Sequence, residues 1–168
     1  TTSLVGLSTL LDHIVEFAPD PAHHEAEHGK NEKGEEESRK YSNSESFSAY
    51  CFRTIADPFA GRINVFKVIS GKVGTDATVY NCSRGVSERL GALHTMQGKQ
   101  LDKVAEANAG DIIACVKLKE TQTGDTLCDK QAPIVYDSVE YPEAAIAFAI
   151  EPKSRQDEEK ISVALHKI

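Results

Sequence analysis

Apolar and polar positions alternate along this chain in more than one rhythm. Leu7, Leu10, Leu11, Ile14, Val15 and Ala18 recur at i, i+3, i+4 and i+7, which predicts a helix over 7–18 with one apolar stripe. Pro19 and Pro21 stop it. A helix this short is marginal by itself, so its stripe needs a partner. Residues 22–46 then hold almost no large apolar side chain, with Tyr41 as their one aromatic. Such a segment buries too little surface to offset its ordering entropy, and a flexible polar linker is expected there.

From Phe47 the rhythm shortens. Strand-like runs appear at 47–57, 62–71, 76–82, 87–96, 110–118 and 123–129, each bounded by Gly, Pro, Asp or Ser. In 62–71, Ile63, Val65, Lys67 and Ile69 alternate with Asn64, Phe66, Val68 and Ser70. In 110–118, Ile112, Ala114, Val116 and Leu118 share one face. Short strands at this spacing, with no helix between them, predict a mainly β chain built on a small closed β-barrel. Residues 144–153 then predict one more strand. Ser154 and Asp157 predict a cap for a helix with the stripe Ile161, Ala164, Leu165 and Ile168. One strand and one helix do not make a domain, so both ends are expected to be pieces of neighbouring domains. A start at Thr1, without an initiator Met, points the same way. No repeat of 20–50 residues is visible.

Composition narrows the function classes. The 168 residues carry a net charge of −7, with a pI near 5.4. That excludes a generally basic nucleic-acid binder but leaves room for a local basic surface. No apolar run is long enough to span a membrane, and no secretory leader is expected. Cys51, Cys82, Cys115 and Cys128 form no C-x-x-C pair, which argues against a structural zinc site. Four reduced thiols, some of them in the core, are expected, in keeping with a cytoplasmic location.

Two catalytic patterns need weighing. His24-Glu25-Ala26-Glu27-His28 reads as H-E-x-x-H, the zinc-protease pattern. On a helix capped by Asp20 and ended by Gly29, both histidines would share one face. A catalytic zinc also needs a third ligand and a dry cavity, and nothing near this stretch has apolar surface to build one. Asn31 stands where the extended pattern has Gly. A zinc hydrolase through His24 and His28 is therefore the outlying alternative. No G-x-S-x-G phrase occurs. His94 alternates with Leu90, Ala92 and Met96, as a satisfied structural histidine would. His13 and His166 fall on the two helices with no evident partner.

Longer phrases carry a family resemblance. "FRTIADPFAGRINVFKVISGKVGTDATVYN", "SERLGALHTMQGK", "AGDIIACVKLKETQTGDTLCD" and "AIAFAIEPKSRQDEEKISVALHKI" together resemble elongation factor G, the ribosomal translocase GTPase. The resemblance implies the last helix of the GTPase domain for 1–18 and a polar linker for 19–46. It implies the second domain, a Greek-key translation-factor β-barrel, for 47–133. For 134–168 it implies a connector and the start of the ferredoxin-like third domain. Met96-Gln97-Gly98-Lys99 stands where typical members have Met-His-Ala-Asn, and is more similar to elongation factor G-like paralogues. Ribosome recycling, ribosomal protection or release is thus the alternative to translocation. The phosphate-cradling G-x-x-x-x-G-K-[ST] loop is absent, since Gly29-Lys30, Gly71-Lys72 and Gly98-Lys99 all lack its spacing. No cofactor is expected in this chain, and GTP and magnesium belong to the parent protein, upstream of Thr1.

The implied partners are small-subunit ribosomal RNA and the parent's own GTPase and third domains, with no membrane. Candidate RNA contacts are Arg62, Lys72, Arg84 and Arg89, most of them beside Gly-marked turns. The candidate interdomain loop is Thr121, Thr123, Gly124, Asp125 and Thr126. In isolation the chain is expected to be a monomer, or a weak dimer through its apolar stripes.

Overall fold

The computed structural model describes residues 3–140 and 142–165. The N-terminal stripe folds into α1 (Leu7–Phe17), which ends where Ala18 turns extended ahead of Pro19. Leu7, Leu10, Leu11 and Ile14 remain exposed, and no residue of α1 is buried. After a short 3-10 turn (Pro21–His23) come β1 (Glu27–Lys30) and β2 (Glu36–Arg39). The barrel region holds β3 (Ser48–Asp57), β4 (Gly61–Ser70), β5 (Lys72–Gly74), β6 (Thr78–Asn81) and β7 (Val86–Arg89). It continues with β8 (Leu93–Gln97), β9 (Gln100–Val104), β10 (Glu106–Asn108), β11 (Ile112–Val116) and β12 (Thr126–Cys128). Then follow β13 (Val135–Tyr136) and α2 (Arg155–Leu165).

The central sheet runs β7-β6-β12-β3-β4-β11-β8-β9, all antiparallel. β12 inserts between β6 and β3, and β11 between β4 and β8, so neighbours in space are often distant in sequence. At Gly71 (φ +67°) β4 bends into β5, and β10 follows that bend to pair with it. The chain is mainly β and barrel-like, but the expected full closure is not made by strand pairing. The paired order starts at β7 and stops at β9. Lys117, at φ +64°, turns the chain out of β11, and the next N–H groups bond the Glu88 carboxylate of β7 instead of a strand.

Phe66 and Val68 of β4, Ile113 and Cys115 of β11, and Leu90, Leu93 and Leu127 fill the interior. Ile63, Val65 and Ala114 point the other way into a second cluster, covered by Ile55, Leu101 and Val116. Both faces of β4 are thus largely buried, which explains its near-continuous apolar run. The expected face of β11 is displaced, since Ile113 and Cys115 face the interior while Ile112 is exposed. The expected strand 87–96 breaks into β7 and β8 at Gly91 (φ +60°), where backbone bonds from Leu90 and Asp76 tie the β6–β7 hairpin off.

Three further expectations are corrected. The flexible linker holds two strands, in a three-stranded sheet ordered β13-β1-β2. Its order comes from backbone pairing and polar contacts, which hydrophobicity does not register. Tyr41 Oη donates to Glu27 Oε1 at 2.7 Å, and buried Arg39 reaches Glu37 and the Ala132 carbonyl. Gly29 makes the close approach possible, because a Cβ there would stand 2.5 Å from the Val135 carbonyl oxygen. Residues 144–153 form no strand, and Ile146, Phe148 and Ile150 are exposed. Third, Cys82 and Cys128 are joined as a disulfide, leaving Cys51 and Cys115 as buried free thiols. At the start of α2, Ser154 Oγ donates to Asp157 Oδ2 at 2.7 Å and the Asp157 N–H donates to the Ser154 carbonyl, so the two residues meet where expected, but side chain to side chain instead of through a side-chain cap on a backbone N–H. Ile168 of the expected stripe lies outside the described residues.

Candidate functional site

The loop from Lys117 to Asp125 leaves β11 and enters β12. Thr121, fully buried, is its pivot. Its carbonyl accepts from Asn64 Nδ2 of β4 at 3.0 Å, and its hydroxyl accepts from Asn81 Nδ2 of β6 at 3.1 Å. The same hydroxyl donates to Glu88, and the Thr121 N–H donates to Glu88 at 3.1 Å. Glu88 also accepts from the N–H groups of Lys119 and Glu120, at 2.8 and 2.9 Å. Burial raises the Glu88 carboxyl's pKa, but these four donors outweigh it and hold the group below its ordinary range.

Asp125 ties the far end. Its Oδ2 accepts from Asn81 Nδ2 at 3.0 Å, from the Gln122 N–H at 2.9 Å and from Arg84 Nε at 2.5 Å. The Asp125 side chain is 9% exposed and that of Arg84 36%, so a largely buried carboxylate faces a guanidinium that still meets solvent. Gly124, at φ +92°, donates its N–H to the Cys51 carbonyl at 2.7 Å. Thr123 reaches Thr54 Oγ1 at 3.0 Å. Thr126 is fully buried, taking Ser83 Oγ on its N–H and the Tyr136 N–H on its hydroxyl. From the opposite side, the half-buried Arg62 donates to the Lys119 carbonyl at 3.4 Å.

Two expected groups thus become one. Arg62 and Arg84 flank the very loop that carries Thr121, Thr123, Gly124 and Asp125. Lys72 and Arg89 do not join them. Lys72 pairs with Glu106 at 3.6 Å and Arg89 with Asp76 at 3.2 Å, both in exposed surroundings. Beside the loop runs a groove of about 500 Å³, lined by Cys82, Ser83, Thr123, Asp125, Tyr136 and Ser138 among others. Residues 47–133 hold eleven Lys or Arg against nine Asp or Glu. The local balance of +2 contrasts with −7 for the whole chain, so the acidity resides in the flanks.

Sequence reasoning passed over Asn64, Asn81 and Glu88, which position the loop. A signal existed. Asn64 sits in phase with Phe66 and Val68, and Asn81 in phase with Val79, where an apolar residue would be the ordinary choice.

His24 and His28 do not share a helix face. His24 lies in a bend, edge-on to the Tyr41 ring at 5.9 Å, and His28 is exposed on β1. Among the described residues no group of three His, Cys, Asp or Glu is placed to hold a metal ion. His94 departs from the satisfied histidine expected, since its Nδ1 is buried with no hydrogen-bond partner. The three Gly-Lys pairs stand within β1, at the β4–β5 bend and at the β8–β9 hairpin tip. None stands at the start of a helix, where a phosphate cradle for GTP would need it.

The elongation factor G domain 2 family matches residues 46–130, which is 85 of the 168 residues. The chain belongs to that family, and the matched residues form a non-catalytic translation-factor domain. It is similar in structure to a crystallised protein of Thermus thermophilus, with a TM-score of 0.72 and 25% identity. That similarity covers 96% of this chain and 22% of the Thermus chain. Among the described residues no helix is long and apolar enough to cross a membrane.

Proposed function

We propose that this chain is the ribosome-docking and interdomain module of a cytoplasmic elongation factor G-type GTPase acting in translocation. The observation that carries the reading is the approach of Arg62 and Arg84, from separate hairpins, to the two ends of one locked loop. Phosphate recognition needs cations held at fixed spacing, and a loop tied at both ends supplies the fixed frame. The local balance of +2 in residues 47–133 suits an RNA surface better than the chain's overall charge does. GTP and magnesium would be held by the parent's own GTPase domain. That domain and the third domain are the natural partners for the exposed stripe of α1 and the exposed Ile146, Phe148 and Ile150.

Recycling, ribosomal protection or release by the same GTPase superfamily is the second reading. It is favoured by Met96-Gln97-Gly98-Lys99, which forms the exposed end of the β8–β9 hairpin. The test uses the full-length parent carrying Arg62→Glu and Arg84→Gln, with thermal unfolding as a control for folding. Affinity for small ribosomal subunits should fall about tenfold, and the salt dependence of binding should become shallower. Charge reversal at Lys72 and Arg89 should change affinity much less. Unchanged affinity in the folded Arg62/Arg84 variant would remove the reading.

A further inference from the structure

The side chains of Cys82 and Cys128 lie outside the loop network, yet they join two of its supports. The disulfide links the residue just after β6 to the last residue of β12. The pairing between these strands is short. It amounts to Leu127 opposite Asn81, Cys128 opposite Tyr80, and a Cys82 N–H to Thr126 carbonyl bond of 2.9 Å. The two sulfurs differ in surroundings. Cys128 is fully buried against Ile69, Ile134 and Tyr136, whereas Cys82 is half-buried and lines the groove beside Asp125.

We propose that Cys82 and Cys128 are a reversible thiol–disulfide site, with Cys82 as the entry thiol for small disulfides of the oxidised-glutathione class and Cys128 as the resolving thiol. Opening in the compartment rests on the cytoplasmic reading above, because disulfides in a reducing cytosol are commonly transient or redox-sensing. The Cys82 thiolate attacks one sulfur of the small disulfide. A mixed disulfide forms and one small thiol leaves. The Cys128 thiolate then attacks the Cys82 sulfur, closes the protein disulfide and releases the second small thiol. The protein loses two protons and two electrons, and the small disulfide gains them. The order follows from access, since Cys82 is half-buried and lines the groove whereas Cys128 is fully buried. Cys51 and Cys115 stand apart as fully buried thiols. Ser83 and Arg84 follow Cys82 directly and hold the Thr126 N–H and the Asp125 carboxylate, so closure stiffens the segment that carries Arg84.

The test takes the reduced 168-residue chain, oxidised glutathione and mass spectrometry. Wild type should lose the mass of two hydrogens and regain it with excess reduced glutathione. Cys128→Ser should accumulate a glutathione adduct on Cys82, and Cys82→Ser should accumulate none on Cys128. Wild type also answers without variants, because brief iodoacetamide treatment should alkylate Cys82 about tenfold faster than the other three cysteines. Cys82 and Cys128 both remaining thiols after oxidised glutathione, a disulfide that reduced glutathione does not open, or equal labelling of Cys82 and Cys128 would each overturn the proposal. Ribosome binding enters none of these readouts, so failure of the docking reading leaves them unchanged.

Discussion

Replacing Asp125 with Ala removes one oxygen that serves three donors. The Gln122 N–H lies in an exposed part of the loop and turns to water at little cost. Arg84 is 36% exposed, so its charge is resolvated in part, and the loss there is about 1 kcal/mol. Asn81 is fully buried and its Nδ2 keeps only the bond to Thr121 Oγ1, which leaves one amide proton unmet at about 1–2 kcal/mol. The sum is about 2–3 kcal/mol, a large share of the roughly 5–15 kcal/mol that holds a domain. Asp125→Asn retains an acceptor and loses only the charge, and should cost about 1 kcal/mol. Urea unfolding at constant slope reads both differences. A double-mutant cycle with Arg84→Ala should show a coupling above about 0.5 kcal/mol. An Asp125→Ala loss below about 0.5 kcal/mol would refute the view that this carboxylate fastens the loop to β6.

Glu88 has its folded pKa below the unfolded value near 4.3, so its contribution is complete above that value and is lost as pH falls through the folded one. Wild type should therefore lose stability below about pH 4 more steeply than Glu88→Gln, and parallel acid titrations followed by circular dichroism would contradict this. Burial pushes the Cys115 thiol up to about 12 and the Cys51 thiol upward as well, so neither should react with an aromatic disulfide reagent at pH 8 until urea unfolds the disulfide-closed chain, when both should. Gly71→Ala combines φ +67° with a Cβ 2.7 Å from the Glu45 carbonyl oxygen and the Phe47 backbone, and should destabilise by more than about 2 kcal/mol in the same urea assay. Gly34→Ala keeps a positive φ but meets nothing within 4 Å, and should cost clearly less.

α1 and α2 were legible because a 3.6-residue stripe and a Ser-x-x-Asp cap are local patterns. The strands at 48–57 and 61–70 were legible for the same reason. β1, β2 and β13 were not, since a Glu-His-Gly-Lys strand is held by backbone pairing to β2 and, about a hundred positions away, to β13, not by its own side chains. The stretch 144–153 errs the other way, alternating like a strand with no pairing partner among the described residues. Within the site, Arg62, Arg84, Thr121 and Asp125 could each be named from turn signals and family phrases. Their meeting could not, because β12 crosses over to lie between β6 and β3.

By itself the sequence determined the residue types, the periodicities and the family, all of which are written along the chain. Tertiary structure alone decided which side chains became neighbours. Glu88 bonds a loop more than thirty residues away. Cys82 meets Cys128 across a separation of 46 residues. The physical reason is common to both. Such contacts depend on strand register, which is set by the packing of the whole sheet and not by any stretch of it.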